Sequence, residues 1–331
     1  MVGGAQPRHL SVQRDVPTVS PAPRLLRIAS RKSRLALWQS EHVALQLRAC
    51  YPGLVVEVIG MSTEGDRVLD RPLHEIGGKG LFTKELEFAI LRGDADFAVH
   101  SLKDVPMQLE AGFSLAAVLE REDPRDAWVS TLYPQRDLLP QGATVGTSSL
   151  RRESQLRAWR PDLRIVPLRG NLDTRLAKLD RGEYHGILLA AAGLRRLGLH
   201  TRIAATLALH DMLPAAGQAA LALECLSERH DVVETLSVLQ HRPTLLAVSA
   251  ERALCLRLGG NCKVPIAAYA EFVSQQLRLQ GCVADPSGRL LSHTRTAQVA
   301  SVDDARALGA TLAQSFLDAG LQPWSSHSGP R

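Results

Sequence analysis

Four short stretches of the 331-residue chain hold side chains whose types and spacing suit chemistry. The densest is Gly146-Thr147-Ser148-Ser149-Leu150-Arg151-Arg152, with Arg169-Gly170-Asn171 and Arg175 one apolar run later. Hydroxyls just ahead of a helix cap its N-terminus, and the free N–H groups there attract anions. Guanidinium forks grip carboxylate or phosphate with two hydrogen bonds at once. One basic helix is ordinarily a solvated face; two neighbouring ones with the same equipment read as an anion site. In Ala29-Ser30-Arg31-Lys32-Ser33, Ser33 is a cap for the next helix, and Arg31 is either part of an anion seat or a surface charge. His100-Ser101-Leu102-Lys103-Asp104-Val105-Pro106 sets Lys beside Asp at a strand end, either as an acid–base pair or with the Asp fixing the turn before Pro106. In Leu258-Gly259-Gly260-Asn261-Cys262-Lys263 a thiol lies in a glycine-rich loop beside a Lys that favours thiolate; the alternative is a small core residue.

These stretches need elements to present them. Apolar periodicity predicts a strand over 26–29 and a helix over 33–49 that buries Leu35, Trp38, Val43 and Leu47. A strand over 54–61 follows, then a polar, glycine-bearing loop through 77–80, a helix over 83–91 and a strand over 96–100. Pro and charge punctuate 120–126 as a crossing segment. A second set runs strand 143–146, helix 150–160, strand 164–168, helix 172–181 and strand 186–190, with a break at 214–218. Such alternation argues for α/β units on a largely parallel sheet, whose carboxyl edge is where ligands bind. Helix 243–256, strands near 266–272, 276–284 and 294–299, and helix 303–319 predict a small α+β unit at the end.

Charge sharpens the site. The formal net charge is +5, yet residues 143–202 alone carry 12 Lys and Arg against 5 Asp and Glu. That middle segment calls for an anionic partner: nucleic acid, phosphate or a polycarboxylate. Trp159 and Tyr184 are its only aromatics, too few for base stacking, and no nucleic-acid-binding motif is present. No apolar run approaches the roughly 18 residues of a membrane span. Five cysteines show neither a C-x-x-C pair nor zinc spacing, so a reducing cytoplasm and no metal are expected. The first 24 residues lack the apolar core of a secretory signal and read as a disordered extension.

Taken in order, the motifs resemble those of the porphobilinogen deaminase (hydroxymethylbilane synthase) family over about 27–320. The similarity includes R-K-S-x-L-A-x-x-Q from Arg31, G-G-K-G-L-F-T-K-E at Gly77–Glu85, H-S-L-K-D-V-P, V-G-T-S-S-L-R-R, R-G-N-x-x-T-R-L and the cysteine loop. The resemblance implies an α/β fold of two lobes like type II periplasmic binding proteins, with mixed sheets, and a small α+β C-terminal domain. Lobe 1 would take 25–120 and 215–240, lobe 2 121–214, and the third domain 241–331. It implies a dipyrromethane cofactor joined by a thioether to Cys262, and Asp104 as the catalytic carboxylate. Cofactor contacts would come from Ser101, Lys103, Thr147, Ser148, Ser149, Arg151, Arg152, Arg169 and Gly170. Arg31, Ser33, Arg175, Arg196 and Gln218 would bind substrate, with Lys79 and Phe82 on a mobile loop over the cleft.

The implied reaction condenses four porphobilinogen molecules head to tail, with loss of ammonia, and then hydrolyses hydroxymethylbilane free. A monomer is implied because the ligand is enclosed within one chain. The rival reading is a non-enzymatic two-lobed anion-binding protein. Two positions depart from the family pattern: Asn261 stands where Gly precedes the cysteine, and Ala219 replaces the second Gly of V-G-Q-G-A-L. Asn tolerates positive φ better than most residues, whereas Ala219 would be strained in a backbone conformation that suits only Gly.

Overall fold

The computed structural model describes residues 23–67, 80–260 and 264–322. Almost all of the expected extension 1–24, and the candidates Lys79 and Cys262, lie outside the described residues. The chain opens with β1 (Leu25–Arg31), α1 (Arg34–Cys50), β2 (Val55–Met61), α2 (Glu64–Arg67), α3 (Lys84–Leu91), β3 (Phe97–Ser101) and β4 (Phe113–Val118). It crosses to β5 (Asp126–Val129), β6 (Thr144–Gly146), α4 (Leu150–Trp159), β7 (Arg164–Val166), α5 (Leu172–Asp180), β8 (Gly186–Ala190), α6 (Ala191–Arg196) and β9 (Ala205–Thr206). It returns as β10 (Leu221–Leu226) and α7 (His230–Ser237). The last part is α8 (Arg242–Arg257), β11 (Ile266–Val273), β12 (Gln276–Ala284), β13 (Leu290–Ala297) and α9 (Val302–Asp318).

Two five-stranded sheets share one plan. In the first, ordered β2-β1-β3-β10-β4, β1 pairs parallel with β2 and β3, and β10 runs antiparallel between β3 and β4. In the second, ordered β7-β6-β8-β5-β9, β6 pairs parallel with β7 and β8, and β5 runs antiparallel between β8 and β9. Each antiparallel strand therefore follows one of the two crossings. The sheets are mixed, as the family resemblance implied and strand–helix alternation alone did not.

Helices cover both faces of the central strands, so these read as continuous apolar runs. In β1, Leu26 and Ile28 pack with Val43, Ala44 and Leu47 of α1, while Ala29 packs with Leu86, Ala89 and Ile90 of α3. Ser33 caps α1, its side chain accepting from the Ala36 N–H. The buried stripe of α1 is Ala36, Gln39, Ser40, Val43, Ala44 and Leu47. Leu35 and Trp38, expected in the core, are only half-buried, because their side of the helix turns toward the second lobe. Leu35 there comes close to Gly193 of α6.

Sequence periodicity also missed α2, β4, β5, α6, β9, β10 and α7. β5 begins at Asp126, inside the segment read as a crossing, and its four residues are too few to register a period. β13 starts at Leu290 rather than near 294, because the turn Asp285–Arg289 launches it directly against β12. It is an edge strand with half its residues exposed and none fully buried, so its apolar signal is weak.

In the third sheet, ordered β11-β12-β13, antiparallel strands pack against α8 and α9 through Leu254, Leu277, Leu279, Leu312 and Phe316. The helices approach so closely that a Cβ on Gly309 would sit 2.3 Å from the Ala250 carbonyl oxygen. Buried Glu251 of α8 ties this unit to both crossings. It accepts two bonds from Arg121 (2.6 and 3.0 Å), one from the Gly217 N–H (2.7 Å) and one from the Ala270 N–H (2.8 Å).

Candidate active site

The carboxyl ends of the parallel strands in both lobes face a shared cavity of about 550 Å³. From lobe 1 come Arg31 at the end of β1, Ser33, Ser101 at the end of β3, and Lys103 and Asp104 just after it. From lobe 2 come Ser148, Ser149, Arg151, Arg152, Arg169, Gly170, Arg175 and Arg196. Gln218 and Ala219 of the second crossing, and Cys255, Gly260 and Val264 of the last unit, complete the wall. Phe82 lies there too, its ring 4.3 Å from the Arg31 guanidinium carbon. Thr147 is not on the wall. It is buried, and its Oγ1 accepts from the Ser149 N–H at 3.1 Å, shaping the turn out of β6.

Local structure sets each side chain. Ser149 caps α4, and Ser148 locks the next strand's exit through bonds with both backbone groups of Leu168 (3.0 and 3.1 Å). Gly170 has φ +109°, and a Cβ there would meet Thr174 at 2.7 Å; its carbonyl accepts from Arg175 Nε at 2.8 Å. Arg196 Nη2 donates to the Ala219 carbonyl at 2.6 Å. Gln39 Nε2 donates to Ser101 Oγ at 3.0 Å. The turn after β3 closes through its backbone, Val105 N–H to the Leu102 carbonyl. Among the described residues no hydrogen bond occupies the Asp104 carboxylate, so the turn before Pro106 does not depend on it.

The cavity is crowded with cations. Burial pushes Lys103 down to about 8, with Asp104 opposing and Arg152 adding to the effect. Burial, then Arg152 and Arg169, push Arg175 down to about 10, and burial brings Arg196 to about 10. Burial lowers Arg169 as well. The only carboxylates among the described lining residues are Asp104 and Asp173, and Asp173 pairs with Arg34 at 3.3 Å. Like charges in a shared, partly dry site shift in this common direction, and an incoming polyanion would reverse the shift.

Sequence reasoning missed Asp126, which is completely buried behind this wall. It accepts from Arg151 Nη1 (2.7 Å), Arg152 Nε (3.2 Å) and Nη2 (2.8 Å), and Gln218 Nε2 (3.0 Å). Burial alone would raise its carboxyl, but the two guanidiniums outweigh that and hold it well below the usual carboxylate range. The signal was present as an Asp opening an apolar run after Pro124, and it was read as crossing punctuation. Gln218 lines the cavity with its amide fully engaged: Oε1 accepts from Lys103 Nζ at 3.3 Å, and Nε2 also donates to the Pro124 carbonyl at 2.7 Å.

Comparison with known proteins sets this geometry in a lineage. Residues 26–234 match the family model "Porphobilinogen deaminase, dipyromethane cofactor binding domain", and residues 245–318 match "Porphobilinogen deaminase, C-terminal domain". The chain belongs to the porphobilinogen deaminase family. A relative so named from Ralstonia nicotianae is 57% identical over 308 residues, covering 92% of each chain. One from Burkholderia thailandensis is 58% identical over 288 residues, 87% of this chain and 88% of its own. Among solved structures, the BvgS periplasmic VFT2 domain of Bordetella pertussis is 17% identical with a TM-score of 0.41, covering 65% of this chain and 86% of its own. The methionine binding protein MetQ is 13% identical with a TM-score of 0.43, covering 65% and 89%. Among the described residues, no helix is long and apolar enough to cross a membrane. None of their His, Cys, Asp and Glu side chains gather in threes that could hold a metal.

Proposed function

We propose that this protein joins four porphobilinogen molecules head to tail on a dipyrromethane primer, releases ammonia, and frees hydroxymethylbilane by hydrolysis. The observation that carries the reading is the convergence of Arg31, Arg169, Arg175, Arg196 and Lys103 on one cavity that also holds Asp104. Each pyrrole bears an acetate and a propionate, so every added ring brings two negative charges into the cleft. Guanidiniums fixed in advance neutralise and orient that growing polyanion. Asp104, whose carboxylate makes no hydrogen bond among the described residues, faces the cation left when ammonia departs from porphobilinogen. It accepts a pyrrole N–H, stabilises that positive charge, and moves protons to the leaving amine and from the attacked carbon.

The residues present fit the primer. Its carboxylates match the cations of the wall, and Gly260, two residues before Cys262, lies on that wall. A Cβ on Gly260 would approach Ile266 at 2.7 Å and the Cys255 carbonyl at 2.8 Å, so the close approach at position 260 favours glycine. Held through a thioether to Cys262, the primer supplies the pyrrole carbon on which the chain starts, and keeps the product from diffusing away between additions. A cytoplasmic monomer acting on porphobilinogen, without nucleic acid or membrane, completes the proposal. The cysteines Cys50, Cys225 and Cys282, free thiols, fit a reducing compartment.

Intact mass of the denatured chain tests the proposal. A two-pyrrole adduct is expected on active protein and is expected to vanish in Cys262→Ser, which should still fold. A bare polypeptide with full activity, or an adduct mapped to Cys255 or Cys282, would overturn it.

A further inference from the structure

Among the described residues, the carboxylate of Asp126 hydrogen-bonds only to groups that themselves line the cavity: Arg151, Arg152 and Gln218. Gln218 in turn accepts from Lys103, the neighbour of Asp104. Asp126 opens β5 immediately after the first crossing, Gln218 lies in the second, and Lys103 belongs to lobe 1. One buried carboxylate thus joins cations of both lobes at the place where the chain passes between them.

We propose that Asp126 is a positioning residue for the reaction: from behind the wall it holds Arg151, Arg152 and, through Gln218, Lys103 as one charged unit. Three cations around one anion leave two positive charges directed into the cavity. The remaining carbonyl bonds, Arg151 Nη1 to Leu213 (2.7 Å) and Arg152 Nη1 to Leu188 (2.9 Å), fix the two guanidinium planes. Without the carboxylate, two buried guanidiniums would face each other uncompensated, and leaving such charges unpaired is costly. Their planes would turn, and a carboxylate-bearing ligand would no longer meet preset forks. Among the described residues, the charged groups that act most strongly on Lys103 are Asp104, Arg152, Asp126 and Arg151. Of these, Asp126 and Asp104 favour its protonated form.

This inference rests on the anion-binding reading of the cleft, and its test has an arm that does not need turnover. The chain has six lysines, so NMR of protein carrying isotopically labelled lysine Cε can follow Lys103, assigned by the signal lost in Lys103→Arg. Primer-loaded wild type, Asp126→Asn and Gln218→Met are titrated, with loading verified by intact mass. Removing the negative charge, or the amide that relays it, makes the ammonium easier to deprotonate, so the Lys103 midpoint should fall below that of wild type in both variants. With porphobilinogen, KM should rise about tenfold in Asp126→Asn while kcat changes much less, because Asp126 acts through binding groups rather than through Asp104. Should Asp126→Asn fail to fold or to load primer, Gln218→Met carries the test. Unchanged Lys103 midpoints in the variants that load primer, or a loss confined to kcat, would overturn the proposal. If wild type makes no bilane, the deaminase reading fails, and the titration still decides whether Asp126 controls Lys103.

Discussion

At the scale of single residues, Asp104 is where binding and chemistry should separate. Its carboxylate is half-buried on the cavity wall, and the turn it belongs to is closed by backbone atoms. Asn keeps the size and still accepts a pyrrole N–H, so Asp104→Asn should fold and carry the primer. It cannot oppose a developing positive charge or take up a proton, and those contributions act in the transition state. Losing one such interaction costs on the order of 3–4 kcal/mol, or roughly 100–1000-fold in rate. Bilane formed per mole of primer-loaded protein measures the effect; a ratio within about threefold of wild type would return Asp104 to a structural role. The same scale shows what residue types alone could not say. Arg151 and Arg152 are adjacent and chemically identical, yet three nitrogens of Arg152 are bonded within the protein, against one of Arg151. Only the partners reveal that.

At the scale of elements, the second crossing carries a measurable strain. Ala219 has φ +74°, a left-handed conformation in which a Cβ crowds the neighbouring carbonyl. The conformation persists because the Ala219 carbonyl is held from two sides, by Arg196 Nη2 at 2.6 Å and by the Glu122 N–H of the first crossing at 3.3 Å. Non-glycine residues pay about 1–2 kcal/mol there, whereas glycine adds about 0.4–1 kcal/mol of unfolded-chain entropy. Ala219→Gly should therefore raise stability by about 0.5–1 kcal/mol, read as a rise in Tm. An unchanged or lower Tm would mean that the crossing stores no strain at this residue.

The sequence already pointed to this position, because Ala stands where the family pattern has Gly, although φ itself had to come from the fold. Elements with clear periods, such as α5, β8, β12 and α9, were legible nearly residue by residue. The crossings were not. Asp126, Arg121 and Glu251 act through partners 19 to 130 residues away, and no local period encodes such pairings. The cation-bearing faces of the cavity were legible because hydroxyls and guanidiniums at helix starts advertise their chemistry locally. The carboxylates that organise them did not.

At the scale of the whole molecule, the fold concentrates positive charge at the meeting of two lobes and leaves it under-compensated. Lys103 is the cation there that burial brings nearest to neutral pH, down to about 8, while ordinary lysines titrate near 10.4. The sign follows directly. In the ligand-free protein the ammonium is present below pH 8 and is lost as pH rises through that value, so binding of polycarboxylates should weaken between pH 7 and 9. Conversely, carboxylates entering the cleft favour the charged form and pull the Lys103 value back up. At pH 8.5, above that value, most Lys103 side chains of the ligand-free protein are neutral, so binding should take up protons from solution. The Cys262→Ser chain, free of primer, is the right material, with an unreactive aromatic tetracarboxylate as the probe. Calorimetry in two buffers of different ionisation enthalpy reads the uptake, and Lys103→Arg in the same background should abolish it. Raised salt should weaken binding in both proteins by screening the remaining guanidiniums. Binding without proton uptake, or uptake that survives in Lys103→Arg, would show that Lys103 is not the group through which the cleft senses its ligand's charge.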